Sequence, residues 1–249
     1  MTDLLALVWP VACGGCARSG AGLCAACAEA FDATPAPVSL TGWPGAPPAW
    51  ACAAYRGQVS TAVVAWKDRG RHDLTPVIAR PLARAILAAI GDPAVCARPS
   101  PVRGARPLLL VPVPSRAVAR RRRGEDVVRS LARCAASRVR SAIDERQGEV
   151  RITPSVRVLP ALRVRSGVID QAGLGAHERA RNVGGAVRIR SGAAALVGGR
   201  DCLVVDDVLT TGASAREAAR VLESAGARVV GVAAACATPL RRRMSSRAS

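Results

Sequence analysis

The pattern of apolar and polar positions changes character twice along the chain. The segment up to about residue 33 is rich in cysteine and glycine. Residues 34–49 carry five prolines and read as a linker. From Ala51 onward, apolar runs of strand length alternate with stretches of helical spacing. Residues 51–55 predict a strand and 58–66 a short helix. Val77, Ile78, Leu82, Ala85, Ile86 and Ala89 recur at helical spacing and predict a helix over 76–90. Residues 91–107 read as loop. Residues 108–113 are a continuous apolar run bounded by prolines, which suits a strand covered on both faces. A helix over about 125–142 and a strand near 156–162 come next. A polar loop over 163–175, a short helix over about 175–182 and a strand over 186–190 follow. Residues 202–205 predict another buried strand, 213–225 a helix ended by Gly226, and 228–236 a final strand. This alternation predicts an α/β fold with a parallel sheet and helices on both faces. Residues 240–249 read as a solvated basic tail.

Composition adds constraints. The 249 residues, half of them apolar, have room for one or two domains and a sizeable core. Glycine and proline together number 40, too few for a collagen or a low-complexity chain. All six aromatic residues lie within the first 66 positions, so the later core is built from Val, Leu, Ile and Ala. Basic residues outnumber acidic ones 36 to 18, a net charge of +18, and only Lys67 among them is lysine. With the abundant alanine, this arginine surplus suggests a high-GC genome, so part of it reflects codon usage. The charge still favours anionic partners. The apolar run near the start covers about ten residues, half of a bilayer span. Asp3 precedes it, no positive segment leads it, and Pro10 sits near Cys13, so no signal peptide or membrane span is expected. A cytoplasmic protein is expected, with its nine cysteines as thiols or metal ligands. Cys52, Cys96, Cys134, Cys202 and Cys236 are isolated and read mostly as small core residues.

Cys13, Cys16, Cys24 and Cys27 form two Cys-x-x-Cys pairs separated by seven residues. Four thiolates at this spacing can close a tetrahedral site, and Gly14 and Gly15 permit the tight turn between the first two. Soft sulfur ligands favour Zn2+, with an iron–sulfur cluster as the alternative. Four protein ligands leave no open position, so such a metal is structural, and its binding supplies folding energy to a segment too short for its own core.

The strongest signal for chemistry is the stretch 202–214. An apolar strand runs into Asp206 and Asp207, then Val208 and Leu209, then Thr210, Thr211, Gly212, Ala213 and Ser214, and then a helix. Ala215, Ala218, Ala219, Leu222 and Ala225 give that helix one apolar face. Ser214 and Glu217 fit a capping box, and Gly226 a C-terminal cap. The turn over 210–214 therefore lies at a helix N-terminus, where backbone N–H groups and the dipole favour an anion. Two carboxylates beside a phosphate cradle repel a bare phosphate. They suit a ligand that carries hydroxyls and a magnesium ion next to its phosphate, such as a ribose phosphate.

These 13 residues resemble, at every position, the phosphoribosyl-diphosphate (PRPP) motif of type I phosphoribosyltransferases. The resemblance implies that Asp206 and Asp207 hold the ribose hydroxyls, that 208–214 line the PRPP site, and that Mg2+ accompanies PRPP. It extends along the chain through the cysteine-rich start, Tyr55-Arg-Gly57, the segment from Lys67 to Arg71, the segment from Val111 to Pro114, Arg123-Gly124, and Gln171 with Arg179 and Asn182. In this order these segments resemble the ComF family, a zinc ribbon ahead of a phosphoribosyltransferase domain. The implied organisation is a four-cysteine module over 1–33, a proline-rich linker over 34–50, a phosphoribosyltransferase-like domain over 51–239 and a basic tail over 240–249. Residues 137–160 match nothing distinctive. Where the family continues Arg-Gly with Phe-Asn-Gln, this chain has Glu125, Asp126 and Val127.

Val113, Pro114 and Arg116 end the 108–113 strand, and Arg120 to Arg123 follow just ahead of a helix start. Arginines there oppose the helix dipole, so they point to an anion. By resemblance the anion is pyrophosphate, held by Val113, Pro114, Arg116 and Arg123; nucleic-acid backbone is the alternative partner. Gln171, Arg179 and Asn182 flank a polar loop and by resemblance close over PRPP. Lys67 follows a predicted helix and can reach a phosphate. His72 and His177 have no recognisable metal partner and read as surface residues. Two functions are therefore expected in competition. One is a PRPP-dependent phosphoribosyl transfer. The other is a nucleic-acid-associated competence protein that keeps the fold as a binding module. The 6-oxopurine enzymes of the first class carry an Asp where this chain has Thr210 and stack the purine on an aromatic residue beyond the motif. No aromatic follows Trp66 here, so a 6-oxopurine acceptor is not expected.

Overall fold

The computed structural model describes residues 12–20, 22–96, 106–115, 126–145, 155–165 and 185–239. Among them the strands are β1 (Ala36–Pro37), β2 (Ala49–Ala54), β3 (Leu108–Pro112), β4 (Val156–Val158), β5 (Leu162–Val164), β6 (Val187–Ile189), β7 (Asp201–Leu209) and β8 (Arg228–Ala237). Six of them form one sheet in the order β1-β2-β8-β7-β3-β4. The two-residue β1 pairs antiparallel with β2, and every other neighbouring pair in this sheet is parallel. β5 and β6 form a separate antiparallel ribbon. The result is the expected α/β architecture, consistent with a phosphoribosyltransferase fold.

Parallel strands need crossover connections, so helices must cover both faces. On one face lie α2 (Gly57–Asp68), α3 (Thr75–Gly91) and α5 (Val127–Asp144), packed with Leu110, Leu203, Val205 and Val230 of the sheet. The other face is covered by α7 (Ala213–Ser224), α6 (Ala193–Val197) and the β5–β6 ribbon, over Leu109, Val111, Val204 and Val232. Alternate residues of β3 and β7 thus serve opposite cores, which is why both strands read as unbroken apolar runs. The short α4 (Pro93–Cys96) lies in the expected 91–107 loop, where the Asp92 carboxylate accepts the Ala94 N–H at 2.8 Å.

The helical stretch His72–Gly91 is long and apolar enough to cross a bilayer by length and composition alone. In this fold it is a core helix: Ile78, Leu82 and Ile86 are fully buried, and α3 packs on β2, β8 and α5. The N-terminal module shares that core. Phe31 has no exposed surface and sits in the same cluster as Trp66 and Leu74, following the one-turn helix α1 (Ala25–Glu29). Cys52, Cys202 and Cys236 are buried as expected of small core residues, and Cys134 is partly buried.

Several elements differ from the sequence expectation. The single strand expected near 156–162 is two: β4 adds to the edge of the main sheet, while β5 leaves it for β6. Pro160 between them has no N–H for a continued ladder and turns the chain between sheets. β7 runs nine residues, past the expected 202–205, so both acids lie within the strand. The proline-rich stretch contributes β1 and the start of β2, and its Leu40 is buried. α6 follows Gly192, whose φ of 75° turns the chain into a helix too short to leave an amphipathic signature. The short helix expected over 175–182 lies outside the described residues.

Candidate functional site

β3 and β7 lie side by side and parallel, yet the chain leaves them in opposite directions. From β3 it passes through α5 to β4, and from β7 through α7 to β8 on the other side. The two helices cover opposite faces, so the carboxyl ends of β3 and β7 open into a crevice between them. This is the topological switch point at which open α/β sheets bind ligands. Pro112 pairs with Val205, and the Val113 N–H donates to the Val205 carbonyl at 2.9 Å. Val113 and Pro114 are thereby brought beside Asp206 and Asp207.

Asp206 is 8% exposed and Asp207 1%. The Asp207 N–H donates to Asp206 Oδ1 at 2.9 Å. From the last turn of α2, the Lys67 ammonium donates to both carboxylate oxygens of Asp207, at 2.7 and 2.6 Å. Lys67 thus lies inside its helix rather than after it, where it pairs with the Asp207 carboxylate. Burial pushes the Asp206 carboxyl well above the usual carboxylate range, and the adjacent Asp207 charge adds to the push. Burial also opposes ionisation of Asp207, but the Lys67 charge and its hydrogen bonds outweigh burial and hold Asp207 below its ordinary value. Lys67 is likewise disfavoured by burial and kept above its ordinary value by the charges of Asp207 and Asp206. The Tyr55 hydroxyl is pushed up by burial and then by the Asp207 charge. The pair is therefore asymmetric: Asp207 keeps its charge and Asp206 holds a proton more readily.

The turn that follows is shaped by one glycine. Leu209 ends β7 in the core, Thr210 and Thr211 are exposed, and Gly212 has φ 78°, ψ 4°. That conformation suits glycine. A Cβ at Gly212 would also stand 2.9 Å from Leu40 Cδ2. α7 begins at Ala213, its first bond running from the Arg216 N–H to the Gly212 carbonyl at 2.8 Å. Its first-turn N–H groups point toward the turn. Leu40 and a bond from Arg216 Nη1 to the Gly42 carbonyl at 3.2 Å hold the proline-rich segment against it.

The expected capping box does not form. Ser214 lies inside α7, Gly212 is the cap residue, and the Thr211 hydroxyl accepts the Ala213 N–H at 3.4 Å. Glu217 instead accepts the Gly185 N–H at 2.8 Å and two bonds from Arg220. Those Arg220 bonds pull its carboxyl below the usual range. At the other end Gly226 does close the helix: its N–H reaches Glu223, and the Ala227 N–H reaches Leu222, the Schellman pattern.

A second cluster lies in the N-terminal module. Cys13, Cys16, Cys24 and Cys27 place their sulfurs within 4.8 Å of one another. Cys16 and Cys24 sulfurs are 3.7 Å apart, close to the roughly 3.8 Å edge of a tetrahedron with metal–sulfur bonds of about 2.3 Å. Amide N–H groups of Gly15 and Cys24 donate to the Cys13 sulfur at 3.4 and 3.3 Å. Against the upward push of burial, backbone bonds from Cys24, Cys16 and Gly15 bring this thiol down to about 6. Burial, then hydrogen bonding with the other three cysteines, pushes Cys27 up. The set can hold one zinc ion. Arg71 docks the module on the α2–α3 junction, donating to the Ala12 and Gly22 carbonyls at 2.8 and 3.1 Å while paired with Asp73. Its position close after Lys67 is where the two clusters meet in sequence.

The structure thus brings Asp206, Asp207, the 208–214 stretch, Val113 and Pro114 to one crevice. Arg116, Arg123, Gln171, Arg179 and Asn182 lie outside the described residues, as do Arg120, His177 and the basic tail. His72 is exposed in the turn before α3. Sequence reasoning missed the pairing of Lys67 with Asp207 and the contact of Leu40 with the turn. The lone lysine among 36 basic residues was the available signal for the first; nothing local marks the second.

Comparison with known proteins agrees with this geometry. The family described as "Phosphoribosyl transferase domain" matches residues 109–248, from within β3 through both arms of the crevice. An adenine phosphoribosyltransferase of Rhodococcus jostii (strain RHA1) is 66% identical over 35 residues, 14% of this chain and 20% of that protein. One from Rhodococcus opacus (strain B4) is 63% identical over 35 residues, with the same shares. The match spans about a fifth of the length of these relatives. The family match covers more than half of the chain and includes the acid pair, the glycine turn and the helix that follows it. The chain belongs to the phosphoribosyl transferase domain family.

Proposed function

We propose that this chain binds PRPP with Mg2+ at the β3–β7 crevice and transfers its 5-phosphoribosyl group to an acceptor. The observation that carries this reading is the placement of two buried carboxylates directly ahead of a helix N-terminus at a topological switch point. A ribose 5-phosphate has complementary chemistry: its hydroxyls donate to Asp206 and Asp207, and its phosphate accepts from the first-turn N–H groups of α7 and from Thr210, Thr211 and Ser214. Asp207, kept charged, is the stronger acceptor. Val208 and Leu209 fix the approach of the turn to the sheet, and Gly212 and Ala213 keep it free of bulk. Val113 and Pro114 form the opposite wall, and by the family resemblance Arg116 and Arg123 stabilise the departing pyrophosphate. By the family resemblance, Gln171, Arg179 and Asn182 close over PRPP and exclude water. Mg2+, carried with PRPP, neutralises the charge that develops on pyrophosphate. The chain's own task is positioning and electrostatic stabilisation as the C1–oxygen bond breaks and the acceptor attacks C1.

The combination of a four-cysteine module with this domain supports a ComF-type protein, with Zn2+ as a structural ion at Cys13, Cys16, Cys24 and Cys27. A second reading, binding of a nucleic-acid backbone, is favoured by one feature. Arg163 and Arg188 stand directly opposite each other on the β5–β6 ribbon and are exposed. Like charges so placed weaken strand pairing unless an anion sits between them.

Protein purified without added metal is expected to carry one zinc per chain by metal analysis, and the Cys24→Ser/Cys27→Ser variant to carry little. Zinc near zero in the wild type, or full retention in the variant, contradicts the assignment. Calorimetry is expected to show PRPP binding that depends on Mg2+. Asp206→Asn/Asp207→Asn should weaken it by about 2–4 kcal/mol, the scale of a lost set of charged hydrogen bonds. Unchanged affinity in this variant rules the site out. A protein that ignores PRPP but binds DNA with a steep salt dependence favours the second reading. Product assays with hypoxanthine, guanine and xanthine are expected to give no nucleotide, because the Thr210 hydroxyl is not a base near neutral pH. Efficient turnover of any of the three contradicts this view of Thr210.

A further inference from the structure

Lys67 is the only lysine in a chain with 35 arginines. Arginine fills every other Lys/Arg position, so the single lysine singles out a place suited to a compact ammonium. Its geometry agrees. The ammonium reaches both oxygens of Asp207, at 2.7 and 2.6 Å, while the Lys67 side chain remains 35% exposed and that of Asp207 only 2%. A carboxylate offers about four lone-pair positions, and two short bonds from one ammonium leave the others for a ligand. An arginine would lay its planar fork along the carboxylate and cover more of its edge.

We propose that Lys67 is a positioning residue for the ribose site: clamped bidentate on Asp207, it keeps that buried carboxylate charged and aimed while leaving acceptor positions open for the hydroxyls of PRPP. This rests on the reading of the crevice as a PRPP site. The groups that face Asp207 are Lys67 on α2, Tyr55 after β2, Asp206 on β7 and Cys236 on β8, with Asp68 acting on Lys67 and Tyr55. Among these Lys67 alone is a cation, and burial is the main factor that opposes a charge on Asp207. Without Lys67, burial shifts Asp207 toward its protonated form, which donates where the ligand needs an acceptor. As pH rises through the raised midpoint, Asp207 ionises again and binding returns.

The test compares PRPP affinity with Mg2+ for wild type, Lys67→Met and Lys67→Arg across pH, each variant first checked for wild-type-like thermal unfolding. Lys67→Met is expected to lose at least about tenfold in affinity near neutral pH, and the gap to close toward alkaline pH. Lys67→Arg, which keeps the charge, is expected to show a pH-independent ratio to wild type. In an Asp207→Asn background, Lys67→Met is expected to change affinity less than about twofold, because its partner is already neutral. Equal affinity of Lys67→Met and wild type overturns the proposal, as does a loss that is flat with pH or additive with Asp207→Asn. If Lys67→Met does not fold, Lys67→Gln takes its place with the same expectations. The carboxyl 13C resonance of Asp207 in the ligand-free protein separates the two levels of failure. Absence of PRPP binding by the wild type refutes the reading of the site. An Asp207 resonance that stays ionised at neutral pH in Lys67→Met refutes the role of Lys67, even where PRPP binds.

Discussion

The ion pair between Lys67 and Asp207 joins the helix after β2 to the strand at the centre of the sheet. Two adjacent carboxylates at the end of a buried strand cannot both be charged there without a cation, because burial penalises each and each penalises the other. Lys67 relieves this by neutralising one of them. Its position depends on β2 being ordered beside β8, since α2 begins three residues after that strand ends. Its own helix is held by Trp66, fully buried beside it, whose indole N–H donates to Thr75 Oγ1 at 2.9 Å. The acid pair, the first helix pair and the order of the sheet are thus parts of one electrostatic arrangement.

The cysteine module bears on the same region from the other side. Arg71 fastens it through two carbonyls, Gly14 lies against Leu74, and Phe31 enters the core that contains Trp66. A Cβ at Gly14 would come 2.6 Å from Leu74 Cδ1, so glycine here leaves room for the first Cys-x-x-Cys turn to dock. A structural metal here would stabilise the α2–α3 junction, because the ligands and the docking contacts belong to the same few residues. The module is therefore physically continuous with the larger α/β unit, and α2 runs from it toward the crevice.

Much of this was legible in the sequence because the signals are local. A strand buried on both faces is an unbroken apolar run, so β3, β7 and β8 stood out, and a glycine after a strand marked the strand-to-helix turn. The four-cysteine cluster was legible because its members, close in space, are also close in sequence. What escaped was long-range or conformational. Lys67 and Asp207 are 140 positions apart, and no periodicity links them. Ser214 and Glu217 had capping-box spacing, but the helix starts at Ala213 and Glu217 is taken by Gly185 and Arg220. The stretch over 156–162 read as one strand because propensity cannot tell which sheet a residue joins, and Pro160 divides it. The proline-rich segment read as a spacer because nothing local shows that Leu40 fits against Gly212, far along the chain.

The central claim is that the β3–β7 crevice holds a ribose phosphate in a defined orientation. A crystal structure of the protein soaked with PRPP and Mg2+ tests it most directly. The account predicts density in the crevice, with the ribose hydroxyls on Asp206 and Asp207 and the 5′-phosphate at the turn of Thr210 to Ser214, ahead of α7. Density for the ligand elsewhere, or a 5′-phosphate directed away from the start of α7 with the crevice open, contradicts it.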